Sequence, residues 1–381
     1  MSELFKILRP WIPLENLNWY MLSKNPEAIH LISKALEQNL DKIYWLELSA
    51  NPAAIHILEQ NQDKIDWDWL SVNPDAIHIL EQNLDKINWY GLSENPGAIH
   101  ILEQNPNKIN WSRLSRNPKA IHILEQNPDK IDWKQLSGNP AAIHLLEQNL
   151  DKIYWPWLSE NPKAIHVISE ALEQNPDKIN WPLLSKNPAV IHLLEQNLDK
   201  IDWDMLSGNP FAIHLINKAL EQNPDTDKID WTELSRNPAA IHLLEQNQDK
   251  IVWNILSKNP AAIHLLEQNL DKINWKYLSS NPAAIHILEQ NPDKIDWQRL
   301  SCNPVAIHLI SKALEQKPDK IDWSQLSRNP AIFIYDYAKI TEYMESTGIK
   351  DELIAYYYRP KNIHKFVERG DLLEDFNSRW S

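Results

Sequence analysis

The chain has 381 residues, 52 acidic against 38 basic for a formal net charge of −14, and a single cysteine, Cys302. That balance disfavours nucleic acid, whose affinity comes mainly from Lys and Arg displacing counterions. One cysteine excludes an intrachain disulfide or a cysteine-built zinc site and points to a reducing, intracellular location. No stretch approaches the roughly 18 consecutive apolar residues that span a bilayer, so no membrane association is expected.

In chain order, residues 1–8 place Glu3 and Lys6 inside a short apolar stretch, unlike a secretory leader. Residues 1–24 read as an N-terminal cap that ends in half a repeat, Asn18-Trp19 through Leu22-Ser23. Asn-Pro preceded by Ser-x then recurs fourteen times from Asn25 to Asn329, mostly 22 residues apart, so thirteen complete units fill 25–328. A period of this size signals a stacked array.

The unit 117–138 shows the pattern. Asn117 supplies an N-cap oxygen, and Pro118 at the first helical position lacks the amide that would be orphaned there. The spacing predicts a first helix from Asn-Pro to about Asn127. Ala120, Ile121, Ile123 and Leu124 fall on one side of it, with Lys119, His122 and Gln126 on the other. Asp132 reads as a second N-cap, with Ile131 and Leu136 spaced as a hydrophobic staple around a helix near Trp133–Ser137. A start at Asn127-Pro128 would scatter Ile131, Trp133 and Leu136, so the shorter helix is preferred.

Four units are longer. Those containing Ile32 to Leu36, Ile168 to Leu172 and Ile310 to Leu314 gain four residues, close to one helical turn. The unit beginning at Asn209 gains that turn and two further residues near Asp225. A lone unit cannot fold, because its few apolar side chains contribute roughly 1.5–3 kcal/mol each against about 1.5 kcal/mol per ordered residue. The fold class is therefore an all-α solenoid of stacked two-helix repeats. With layers about 8–10 Å apart, it predicts an elongated rod or superhelix on the order of 100 Å long. Residues 329–381 read as an aromatic C-terminal helical cap that includes Phe333, Tyr335, Tyr337 and Tyr343.

Thirteen histidines occupy one position of the unit, from His30 to His308. Stacked neighbours about 10 Å apart cannot share a metal at ligand distances near 2.0 Å, so bonding to a neighbouring unit is the expected role. A pH response is the other reading, since protonating the 14 histidines of the whole chain would cancel its charge and favour association. Glu-Gln-Asn and Asp-Lys recur in nearly every unit, whereas acid/base catalysis needs distinct environments that separate two pKa values. The repeated tryptophans read as wedges between units.

Two residues after each Trp the sequence varies, giving Glu47, Trp69, Arg113, Gln135, Trp157, Met205, Glu233, Tyr277 and Arg299 among others. The residue before Asn-Pro varies as well. Stacking should gather these positions into a stripe, which is the form of a partner-reading surface and equally of drift on a solvent face. Trp69, Trp157 and Tyr277 favour binding, because Trp and Tyr are enriched at interaction hot spots.

The pattern Leu-Ser-x-Asn-Pro-x-Ala-Ile-x-x-Leu-Glu-x-Asn, followed by Lys-Ile-x-Trp, resembles the short helical repeat proteins encoded in many copies by giant nucleocytoplasmic large DNA viruses. The tail, with Asn329-Pro330-Ala331-Ile332-Phe333, Glu352-Leu353-Ile354-Ala355 and Arg359-Pro360, looks like their ending. The resemblance implies a viral origin, with a host or virion location, and no assigned chemistry.

The leading functional reading is a non-enzymatic scaffold that binds protein. No Gly-rich phosphate loop, nucleophile elbow or metal-spaced cluster is present, so no cofactor or metal is expected. Single-stranded nucleic-acid reading is the alternative. It is weakened because Arg113, Arg116, Arg236, Arg299 and Arg328 are interspersed with Glu47, Glu94, Glu160 and Glu233. An enzyme built on His364, Glu368 and Asp371 is the third reading, set against a solvated helical face.

Overall fold

The computed structural model describes residues 6–348 apart from Asn39 and Asp225. Its units follow the capping chemistry closely. Asp132 Oδ1 accepts the Gln135 N–H at 3.2 Å and starts the helix Trp133–Ser137, the span expected from the staple. Tyr44, Tyr154 and Val252 stand at the same position without a side-chain cap.

The Asn-Pro start is a correction. Asn25 Oδ1 accepts the Glu27 N–H at 3.1 Å, but the turn it caps, Pro26–Ala28, is a single 3-10 turn, and the α-helix begins at Ile29. In the unit 117–138 the α-helix covers only Ile121–Gln126. The cause lies at Ala120, whose φ of −95° and ψ of 9° leave the helical well and delay the i→i−4 ladder. A second 3-10 turn, Pro128–Lys130, is separated from the Trp helix by extended Ile131, with φ −63° and ψ 127°. The inserted residues are helical as expected: Ile165–Gln174, Ile213–Gln222 and Ile307–Gln316 each run ten residues.

Each unit contributes Ala120, Ile123, Leu124, Ile131, Leu136 or their equivalents to one continuous apolar core. The Trp rings pack against it half-buried. Lys130 Nζ lies 4.7 Å from the Trp111 ring centre and Lys152 Nζ 4.6 Å from that of Trp133, so each lysine shields the preceding unit's ring.

A buried polar spine joins the units. Ser115 Oγ donates to Trp111 O at 2.8 Å and accepts the Asp132 N–H at 3.0 Å, while Asn139 Nδ2 donates to Ser115 O at 3.1 Å. The fourteen serines that follow Leu, and the fourteen asparagines of Ser-x-Asn-Pro, are all buried, none more than 4% exposed. A buried amide or hydroxyl is tolerated only when bonded, so this spine fixes the register between neighbours.

The same bonds join the last unit to the first. Asn18 N donates to Ser327 Oγ at 2.8 Å, and Asn25 Nδ2 donates to Ser327 O at 3.2 Å. Helix Trp19–Lys24 packs on Trp323–Arg328 as it packs on Trp45–Ser49. Where an outer helix would follow Ile332, β2 (Phe333–Tyr335) instead pairs antiparallel with β1 (Lys6–Leu8), Ile7 opposite Ile334. Arg9 extends the seam, donating its N–H to Ile332 O at 2.9 Å and Nε to Ala331 O at 2.7 Å.

The solenoid is therefore a closed ring of fourteen Trp helices, its last unit assembled from both end segments, which cap each other. The open rod of about 100 Å is corrected. A constant rotation of about 26° per unit, small enough to keep neighbours packed, brings fourteen units full circle. A final helix, Tyr337–Thr347, is capped by Asp336 and ends at Gly348, whose φ of 71° is left-handed. Residues 349–381, with His364, Glu368 and Asp371, lie outside the described residues.

Candidate partner-binding face

In a closed circuit the more closely spaced layer is the inner one. The Trp helices pack directly on one another around the ring, whereas the Ile-His helices stand farther apart, so the Trp helices line the concave face. With axes about 8–10 Å apart, fourteen of them describe a circle of roughly 20 Å radius. On each Trp helix, Leu and Ser point back into the core. The two residues after Trp and the residue before Asn-Pro are left on the open side.

The structure places the stripe residues on this one face, but only some of them share a cleft. Gln135 and Trp157 line a cleft of 420 Å³ with Glu94, Arg116, Gly138 and Glu160, drawn from four successive units. Gln135 Oε1 is buried there with no hydrogen-bond partner among the described residues. Trp157 meets Tyr154 edge-on at 5.9 Å, with Lys134 Nζ 5.5 Å from its ring centre. Arg113 borders the cleft, its Nη1 2.6 Å from Glu94 Oε2 and its guanidinium carbon 4.2 Å from the Tyr90 ring centre. Hydrogen bonding to Tyr90, and then to Glu94, raises the Arg113 pKa above its ordinary value.

The remaining stripe residues occupy other arcs. Glu47 holds Lys24 at 3.2 Å, and the Tyr20 hydroxyl, ahead of Glu47, raises the Lys24 pKa. Trp69 and Met205 are 47% and 44% exposed. Glu233 pairs with Arg236. Tyr277 lies half-buried beneath Lys258, 4.0 Å from its ring centre, and Arg299 is exposed.

The histidine column runs along the outer layer and bonds neighbouring units. His122 Nε2 lies 2.7 Å from Glu103 Oε1 and His144 Nε2 2.6 Å from Glu125 Oε1, and six further histidines meet the preceding unit's Glu in the same way. The inserted turn explains three that do not. In the longer units the position of that Glu holds Ser33, Ser169 or Asn217, so His56 reaches Ser33 Oγ at 3.4 Å, and His192 and His242 follow Ser169 and Asn217. Both partners of each pair are about half exposed, so water screens the attraction. Glu103→Gln should therefore shift the melting temperature by less than about 1 °C.

His30 differs because it follows the composite unit. Burial first, then Lys339 and Lys34, lower its pKa below 6.5, against weaker opposition from Glu37 and Asp336. Below the unfolded value the proton binds the unfolded chain more readily, so the folded state loses stability as pH falls through about 6.5. An NMR titration should place the His30 ring, identified by its loss in His30→Gln, below 6.5. His30→Gln should lose less stability than the parent between pH 7.5 and 5.5.

Among the described residues no group of three or more His, Cys, Asp or Glu could hold a metal ion, and no helix is long and apolar enough to cross a membrane. No protein-family model, curated protein or solved structure matches the chain. Glu94, Arg116 and Glu160, counted from the sequence among the variable positions, stand in the cleft walls, and the residues that sequence reasoning passed over are the serines of the spine. The signal for the serines was their presence after Leu in all fourteen Trp helices.

Proposed function

We propose that this protein is a non-enzymatic, ring-shaped scaffold that holds a protein partner against its concave stripe. Its motif resemblance suggests a viral origin and an intracellular or virion setting. The observation that carries the reading is the contrast within each unit. Leu, Ser, Asn and Pro repeat around the ring, while the concave positions change from unit to unit, and six of them line the cleft at Gln135 and Trp157. A buried acceptor without a partner is costly, and a donor from a bound protein would relieve that cost at Gln135 Oε1. Trp69, Trp157 and Tyr277 supply the aromatic anchors on which binding energy concentrates.

The test is capture from host or infected-cell lysate by the parent and by the triple variant Trp69→Ala, Trp157→Ala, Tyr277→Ala. Proteins retained by the parent should fall at least about tenfold on the variant, the loss expected when anchor residues are truncated. Equal recovery by both would remove the stripe as the binding face.

A further inference from the structure

The concave face carries the opposite charge balance from the chain. Its variable positions hold ten basic residues, from Lys24 to Arg328, against six acidic ones, within a protein of net charge −14. Four of the six acids are already paired: Glu47 with Lys24, Glu94 with Arg113 and Arg116, Glu160 with Lys186, and Glu233 with Arg236. The cations are also unevenly distributed. From the helix Trp253–Leu256 through Trp275–Leu278, Trp297–Ser301 and Trp323–Arg328, and across the closure to Trp19–Lys24, no concave position is acidic. Lys258, Lys276, Arg299 and Arg328 lie exposed on that arc without a carboxylate within ion-pair distance among the described residues. The carboxylates nearest in sequence, Asp296 and Asp322, cap their helices by accepting the N–H of Arg299 and Gln325, both at 2.9 Å.

We propose that this acid-free arc binds an acidic peptide segment, a reading that rests on the concave face being the partner-binding face. Inner helices roughly 8–10 Å apart present one cation per step. An extended chain rising about 3.3 Å per residue offers a carboxylate at every third residue with a matching repeat. The acidic remainder of the ring repels a long polyanion, which limits the occupant to a short stretch. A single-stranded nucleic acid would call for a series of exposed aromatic platforms. The arc holds only Tyr277 and Tyr20, each already covered by its lysine at 4.0 and 4.5 Å.

The probe is a fluorescein-labelled deca-glutamate peptide, followed by anisotropy against the full chain, with a deca-lysine peptide and a ten-residue oligothymidylate as comparisons. Deca-glutamate should bind, deca-lysine should not, and affinity should weaken at least tenfold between 50 and 200 mM salt. The double variant Arg299→Glu, Arg328→Glu should lose at least tenfold in affinity with an unchanged melting temperature. Lys119→Ala, at an exposed position outside the stripe and the arc, should leave deca-glutamate binding within twofold. Absent binding at 50 mM salt, equal binding by the charge-reversed variant, or tighter binding of the oligothymidylate would each overturn the assignment. If any of these occurs while the aromatic triple variant still loses its captured proteins, the scaffold reading stands and only the acidic-peptide assignment falls.

Discussion

Deleting residues 1–9 should speed amide hydrogen exchange at least about a hundredfold in the helices Trp19–Lys24 and Trp323–Arg328, while Trp155–Glu160 and Trp181–Lys186 change by less than about threefold. In a closed array every unit is held by two interfaces, so local opening breaks both wherever it starts. The strap formed by β1 on β2, together with Arg9 on Ala331 and Ile332, backs the seam where continuity depends on the two end segments meeting rather than on the chain running through. Without it, Ser327 still faces Asn18 and Asn25. Each end is then retained by one interface with no strand behind it, and it frays. A hundredfold change corresponds to about 2.7 kcal/mol, a fair demand for the strand pairing and the Arg9 bonds together. Unchanged exchange at both ends would mean that the polar spine alone closes the ring. An equal rise in every unit would mean that the array opens as a single cooperative block.

The repeat and its two helices were legible because they depend on local chemistry. Asp132 before Trp133 and Asn117 before Pro118 announce their caps in any context. The inserted Ser33-Lys34-Ala35-Leu36 declares itself a helical turn by its length. Closure was hidden because it depends on a rotation of a few tens of degrees per unit, which arises from side-chain volumes between layers and leaves no periodic mark. A sign of it was nevertheless present. Asn18-Trp19 through Leu22-Ser23 is a Trp helix without its own Asn-Pro helix before it, and Asn329-Pro330-Ala331-Ile332 is a start without a Trp helix after it. Two half-units of complementary type are what a ring needs and a capped rod does not. The stripe could be enumerated from the sequence but not shaped. That Gln135 and Trp157 line one cleft follows from what stands beside them, Gly138 and Arg116.

Replacing Asn117 by Ala should cost about 3–5 kcal/mol in urea unfolding followed by tryptophan fluorescence, comparable to Leu114→Ala at a fully buried core position. The Asn117 side chain is 1% exposed and has three duties: Oδ1 accepts the Lys119 N–H at 3.0 Å, and Nδ2 donates to Ser93 O at 3.3 Å and Asn95 O at 3.2 Å. Alanine removes all three bonds, leaving Asn95 O with only the Ala98 N–H at 3.2 Å and the buried Ser93 O without the Asn117 amide, whereas Lys119→Ala on the solvent side should change stability by less than about 0.5 kcal/mol. Asn117→Asp separates the polar spine from simple packing. The shape and the acceptor for Lys119 survive, but the second oxygen then faces two carbonyl oxygens, which disfavours the anion and raises the folded-state pKa above the unfolded value of about 3.9. With the folded pKa the higher of the two, the penalty is absent below about pH 3.9, grows as pH rises, and is complete once pH exceeds the folded value. Asn117→Asp should therefore recover stability relative to the parent as pH is lowered from 7 toward 4, while Asn117→Ala should keep a constant deficit. A deficit independent of pH in the aspartate variant would show that Nδ2 does not bridge the units and that apolar contact alone sets their register.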